Sequence, residues 1–232
     1  MKNKKQCARI VHMSSKPILK IDWATYEAAK FACTRFHYSK VAPAGKLVKV
    51  GVWEGETFIG VVLFSRGANN NIGKPYGLDQ TECCELTRVA LTGHKTEVTR
   101  IVKIAMSFLK ANSPGLRLIV SYADPLQGHH GGIYQGGNWV YAGLTSGDRR
   151  AIWNGKKVHK RTVHSLIGRC TKADCEFTEI ERKHIYLMPL DEEMKKQIAH
   201  LSKPYPKRAK NQDVECPSTL GGEVPTCTLQ LC

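Results

Sequence analysis

The spacing of hydrophobic and polar positions changes repeatedly along the chain, and each change marks an element. Over residues 22–38, Trp23, Tyr26, Ala29, Cys33 and Phe36 recur every three or four positions. This is the stripe of an amphipathic helix, with Asp22 placed to cap its first turn. LVKVGVWE (47–54) and TFIGVVLFS (57–65) are β-branched and aromatic runs parted only by Gly55-Glu56, which predicts a hairpin. The polar, glycine-rich stretch 67–81 reads as a surface loop. A strand over 84–91 then leads through Thr92-Gly93-His94-Lys95 into a helix over 96–111. The apolar face of that helix is Val98, Ile101, Val102, Ala105, Phe108 and Leu109. LRLIVSYAD (116–124) is almost unbroken in its apolarity, as a central strand covered on both faces requires.

Beyond 124 the pattern loosens. Gly128, Gly131, Gly132, Gly136 and Gly137 crowd what would otherwise be a short helix; strand-like pieces follow at 139–145, 151–153 and 183–190, and a short helix at 191–201. A strand–helix–strand unit amid hairpin-like strands predicts an α+β fold with an α/β-like centre. Residues 1–201 are expected to form the catalytic domain, and 202–232 a basic, Cys- and Pro-containing tail that is partly flexible.

Charge adds a partner to this picture. Among 232 residues, 35 Lys and Arg stand against 20 Asp and Glu, a net charge of +15. Such an excess favours a polyanion, usually nucleic acid. Arg149, Arg150, Lys156, Lys157, Lys160 and Arg161 concentrate it as candidate DNA contacts, with Lys203, Lys207, Arg208 and Lys210 as a second cluster. The competing reading is a solvated basic face. No run of 18 apolar residues exists, so no membrane span is expected, and no apolar segment follows the basic start MKNKK as a secretory signal requires. Nine cysteines without a CxxC pair are expected to be reduced thiols in a cytosol.

Candidate chemistry gathers at the end of the central strand, where open sheets usually bind ligands. Asp124 there can take a proton from an amine, and Ser121 can donate to an oxyanion, although Asp-Pro is also a common turn. The block from Gly128 to Trp139 is costly as a helix, each Gly losing up to ~1 kcal/mol against Ala, and is expected to let a ligand or another backbone come close. Within it His129, Gly131, Gly132 and Asn138 are candidate binding positions and Tyr134 a proton donor or stacking surface. His37 is a candidate general base, or else a plain partner of its helix dipole. Glu85 and Arg88, three apart on a strand, are expected to face opposite ways. Gly93, Lys95 and Thr96, before the long helix, can offer backbone N–H groups to a phosphate. The spacing of His37, Asp124, His129 and His130 matches no established metal pattern, and no metal is expected.

Taken together, HYSK (37–40) with GKLVKVGV (45–52), ELTRVAL (85–91) and SYADPLQGHHGGIYQGGNWVYAG (121–143) resemble the Mom family of phage DNA adenine-modifying proteins over about residues 30–145. The resemblance implies an N-acetyltransferase-like (GNAT) fold, a mixed, mostly antiparallel sheet flanked by helices. It implies conversion of adenine to N6-(carbamoylmethyl)adenine in phage DNA, protecting it from restriction, with double-stranded DNA as partner and the cytoplasm of the infected or lysogenic bacterium as the place of action. Family roles carry over to Arg88, Ser121, Asp124 and Tyr134, and then to His37 and Tyr38. The usual acetyltransferase diphosphate loop is absent, the matching place reading Leu91-Thr92-Gly93-His94-Lys95-Thr96. The group donor thus stays open between acetyl-CoA and an activated glycyl donor such as glycyl-tRNA, which would make tRNA a second partner. The alternatives are an acyltransferase acting on a protein or small amine and a DNA-binding protein without catalysis.

Overall fold

Val50, Val52 and Val62 on the two runs flanking Gly55-Glu56 are fully buried, and the runs pair as the predicted hairpin, β2 (Leu47–Glu54) with β3 (Thr57–Ser65). Gly55 takes the positive φ of 58° that the tight turn needs. Around this hairpin the computed structural model, which describes residues 17–67, 71–153, 155–159, 163, 176–178 and 180–207, builds a seven-stranded sheet. Its strands are β1 (Leu19–Trp23), β2, β3, β4 (Cys83–Leu91), β5 (Leu118–Ala123), β6 (Val140–Leu144) and β10 (His184–Pro189), in the order β1-β2-β3-β4-β5-β10-β6. Every pair is antiparallel except β4 with β5. A second sheet holds β7 (Arg150–Trp153) between β8 (Lys156–His159) and β9 (Glu176–Phe177). The architecture is α+β, a mixed and mostly antiparallel sheet flanked by helices, as expected.

Helix α2 (Val98–Asn112) covers one face of the large sheet, burying Ile101, Val102, Ala105, Met106 and Leu109 against Val50, Val62, Phe64, Leu86 and Ile119. Each large apolar side chain so buried contributes roughly 1.5–3 kcal/mol. The four-residue α3 (Gly132–Gln135) lies on the same face through Tyr134. The opposite face has two covers. Helix α1 (Tyr26–Phe36) packs Ala29, Ala32 and Cys33 on Val61, Leu63 and Ala90; α4 (Glu192–Ile198) packs Met194 and Ile198 on Cys83, Leu118, Val120 and Leu187.

The first helix begins later than its stripe predicts. Its cap is Thr25, whose side chain accepts from Ala28 N, and not Asp22. Residues 19–23 instead pair with β2, Leu19 opposite Glu54 through Trp23 opposite Val50. The alternation of Leu19, Ile21 and Trp23 with Lys20 and Asp22 carried that strand signal, and pairing with an existing edge prevailed over helical spacing. At the other end, residues 202–207 pack along β6. Lys203 N donates to Tyr141 O at 2.8 Å and Tyr205 Oη to Trp139 O at 2.7 Å. The remainder of the expected tail lies outside the described residues. No helix among the described residues is long and apolar enough to cross a membrane.

Candidate active site

A β-bulge builds the site. The pairing of β3 with β4 shifts at Thr87, so that Leu63 opposes Arg88 while Ser65 opposes Glu85. Leu63 and Ser65 share a face of β3; their partners Glu85 and Arg88 therefore share the face that α1 and α4 cover, and do not point apart as strand alternation predicts. The bulge reverses the parity. Glu85 is also the last residue of β4 paired with β5, opposite Val120, and past it the two parallel strands diverge. Its carboxylate is half-buried, and it makes no hydrogen bond or ion pair among the described residues. Burial raises its pKa above the ordinary carboxylate range, and the positive charge of Lys183 opposes that shift. A partly desolvated carboxylate at the mouth of diverging strands is costly for stability alone, which makes Glu85 a candidate functional position. Sequence reading singled out Glu85 only as one of a pair; the register shift at its neighbour is what puts it on the same face as Arg88.

Arg88 reaches under the end of α1, where its Nη1 donates to Val41 O, leaving Nε buried without a partner. Above it, His37 ends the helix. The Ser39 amide donates to His37 Nδ1 at 3.2 Å, and an amide can only donate, so Nδ1 carries the lone pair and the neutral ring holds its proton on Nε2. The group read from sequence as a general base is thus an N–H donor. Burial lowers its pKa to about 4, aided by the positive charges of Arg88, His129 and Lys40. Between the ordinary value of 6.5 and about 4, the unfolded chain binds a proton that the folded chain refuses. Stability is therefore expected to decline as pH falls through that window, and NMR titration of the His37 ring to show no midpoint near neutrality. A midpoint close to 6.5 would sink this assignment. The Tyr38 ring stands 4.2 Å from His37 and 5.2 Å from His129 (centroid to centroid) and is 55% exposed, so these three rings line the rim.

The strand end behaves differently from its sequence reading. Ser121 is fully buried and donates to Leu86 O at 2.9 Å, which can only accept; the hydroxyl has no second proton, so the 2.7 Å contact with Tyr134 is a bond donated by the phenol. Ser121 therefore has no proton for an oxyanion, and the Leu86–Ser121–Tyr134 chain bridges the diverging strands. Tyr134 is buried against Trp139 and Tyr186 on the α2 face, its pKa pushed up to about 12 mainly by burial. Asp124 accepts from Leu126 N at 3.0 Å and pairs with Lys183 at 3.8 Å, on the side of Glu85.

The glycine block has packing reasons. A Cβ on Gly131, whose φ is +85°, would lie 2.3 Å from the Tyr186 ring, itself anchored by a 2.6 Å bond from Tyr186 Oη to His130 O. On Gly136 it would crowd Thr99 of α2 at 3.2 Å. The close backbone approach that the glycines allow is thus to Tyr186 and α2. Gly132 and His129 are exposed, and Asn138 takes a positive φ of 57° as α3 ends.

The proposed phosphate loop is already filled. Lys95 N donates to both Glu54 oxygens at 3.0 Å and Thr96 N to one at 2.6 Å, so a carboxylate of the chain itself holds the amides before α2; Gly93 is exposed. A coenzyme A diphosphate does not fit these residues unless Glu54 is displaced. Among the basic residues, Arg149 is exposed while Arg150 is paired with Glu181 at 3.3 Å; Lys156 and Lys157 lie on β8, and Lys160 and Arg161 are outside the described residues, as are Arg208 and Lys210. A cleft of about 700 Å³ lined by Lys46, Phe64, Arg66, Cys83 and Leu109 includes none of Glu85, Arg88, His37 or Asp124. Among the described residues no three His, Cys, Asp or Glu side chains could hold a metal ion.

Comparison with known proteins adds a family. The methylcarbamoylase Mom of Escherichia phage Mu is 24% identical over 162 residues, which are 68% of this chain and 66% of that protein, just under two thirds of its length. Among solved structures, a candidate acetyltransferase from Acinetobacter baylyi ADP1 aligns with TM-score 0.41 and 11% identity over 77% of this chain and 96% of its own. Arabidopsis thaliana NAA60, solved with a bisubstrate analogue, aligns with TM-score 0.40 and 8% identity over 75% and 100%. A model of the Mom protein family matches residues 18–207, nearly the whole described fold from β1 to the segment beside β6, and the chain belongs to that family.

Proposed function

We propose that the chain is an enzyme that converts adenine in DNA to N6-(carbamoylmethyl)adenine, acting in the cytoplasm of a phage host and shielding the DNA from restriction. The observation that carries this reading is the pair of groups sharing one face where β4 and β5 diverge: a half-buried carboxylate, Glu85, and a buried N–H without a partner, Arg88 Nε. Membership in the Mom family and the name of the phage Mu relative supply the substrate class. The net charge of +15 supports a DNA partner, with Arg149, Lys156, Lys157, Lys160 and Arg161 as phosphate contacts.

Reaching N6 in a duplex requires extruding the base, and the exposed rings of Tyr38 and His129 offer it a stacking surface. The donor is an activated glycyl group, such as glycyl-tRNA. N6 attacks the glycyl carbonyl; Glu85 takes the amine proton, the Arg88 and His37 N–H groups hold the oxyanion, and the carrier leaves with a proton. The glycyl amine of the resulting amide then attacks C6 within a five-membered ring, and the C6–N6 bond breaks. The former N6 becomes the carboxamide nitrogen, atoms balance, and no oxidant is needed. Asp124 positions Lys183 beside Glu85, while Ser121 and Tyr134 set the width of the gap.

Mass spectrometry of nucleosides from cells with and without the chain tests the function. The modified adenosine is expected only with it; unchanged nucleosides leave a DNA-binding protein or an acyltransferase of other substrates. Heavy-nitrogen labelling of the adenine amino group tests the rearrangement, with the label expected in the carboxamide. Label retained on C6 refutes the second step.

A further inference from the structure

Building on the adenine reading, we propose that Leu126 is a wedge that enters the DNA base stack and occupies the place of the extruded adenine. An extruded base leaves a hole in the stack and an unpaired partner, and proteins that distort duplexes fill such gaps with apolar side chains. Leu126 is a large apolar side chain, 63% exposed, two residues from Asp124. A solitary exposed leucine is unremarkable in general; the loop that presents this one is the informative feature.

That loop is closed on itself. Asp124 accepts from Leu126 N at 3.0 Å through its side chain, and from Gln127 N and His129 N at 3.1 Å through its carbonyl. Gly128 N donates to Pro125 O at 2.9 Å with Gly128 left-handed at φ 69°, and Pro125 fixes its own φ. With these bonds the turn cannot collapse to hide Leu126, so the side chain is held outward, and the ordering that insertion would demand is already present. The same loop carries His129, whose ring meets Tyr38, so the prong and the stacking surface are rigidly spaced. Gln127, exposed beside Leu126, has the donor and acceptor needed to meet the orphaned partner base.

The test uses the full chain, wild type and Leu126→Ala, with duplexes carrying 2-aminopurine at an adenine found modified in cells that produce the protein. Wild-type binding is expected to raise 2-aminopurine fluorescence severalfold. At saturating Leu126→Ala the rise is expected to be lost on the perfect duplex and restored when the target lies opposite an abasic site, where less stacking and pairing must be broken. A matched melting temperature and retained duplex affinity exclude a folding defect, as the exposed position leads one to expect. An equal rise with both proteins overturns the wedge alone. Loss on both duplexes also overturns it, since Leu126 would then serve binding or the site itself. Absence of any modified adenine in producing cells removes the adenine reading, and the wedge with it.

Discussion

Glu85→Gln is expected to lower adenine modification by about 10²–10⁴-fold, the usual contribution of a positioned acid or base, while DNA affinity stays at the wild-type level. Gln keeps the shape of the side chain and removes only its ability to take a proton. The Glu85 carboxylate makes no hydrogen bond or ion pair among the described residues, so the substitution removes the attraction of the nearby Lys183 charge but breaks no side-chain hydrogen bond of the described fold. The stability sign is also definite. A carboxyl whose pKa is raised in the folded state makes the native protein hold a proton that the unfolded chain has released, so stability falls as pH rises through that interval. A neutral side chain is free of that penalty, and Glu85→Gln is expected to melt at or above the wild-type temperature at neutral pH. Lost activity with equal or greater stability is the signature of a group kept for chemistry. Activity within a few-fold of wild type would return the proton-accepting role to Asp124.

Gly131→Ala is expected to destabilise the fold by about 2–4 kcal/mol, combining a strained left-handed backbone with overpacking. The new methyl would lie 2.3 Å from a Tyr186 ring that is fully buried and fixed by its bond to His130 O, so neither partner can yield cheaply. Gly132→Ala is the matched control. Its Cβ would meet only His130, at 3.2 Å, and the position is exposed, so little change is expected. Chemical denaturation of the two variants separates the cases. Comparable stability for both would mean that the block is loose and that Tyr186 does not position the loop leading back to Asp124.

Much of this molecule was legible from spacing. The hairpin of β2 and β3, the buried face of α2 and the apolar run of β5 follow from local periodicity, because burial on one or both faces repeats with the geometry of the element itself. Strand β1 was missed although Leu19, Ile21 and Trp23 alternate with Lys20 and Asp22, because the run is only five residues long and Trp23 also fits the helical stripe that follows it. Ser121 was found as a residue of interest, but its hydroxyl has no proton left for an oxyanion. Whether a hydroxyl has a proton to give depends on a carbonyl, Leu86, that only folding brings near.

Sequence alone determined the element types, the positions of most strands and helices, the basic character of the chain and the motifs that mark its family. Tertiary structure decided which way those motifs face. One extra residue at Thr87 turned Glu85 and Arg88 to the same side, Glu54 filled the turn before α2 from 41 and 42 residues away, and Ser39 fixed the His37 tautomer. Periodicity is a local property of the backbone and can be read along the chain. Register, proton placement and charge pairing are set by atoms of distant or folded-back segments, and acquire a value only when the chain has closed on itself.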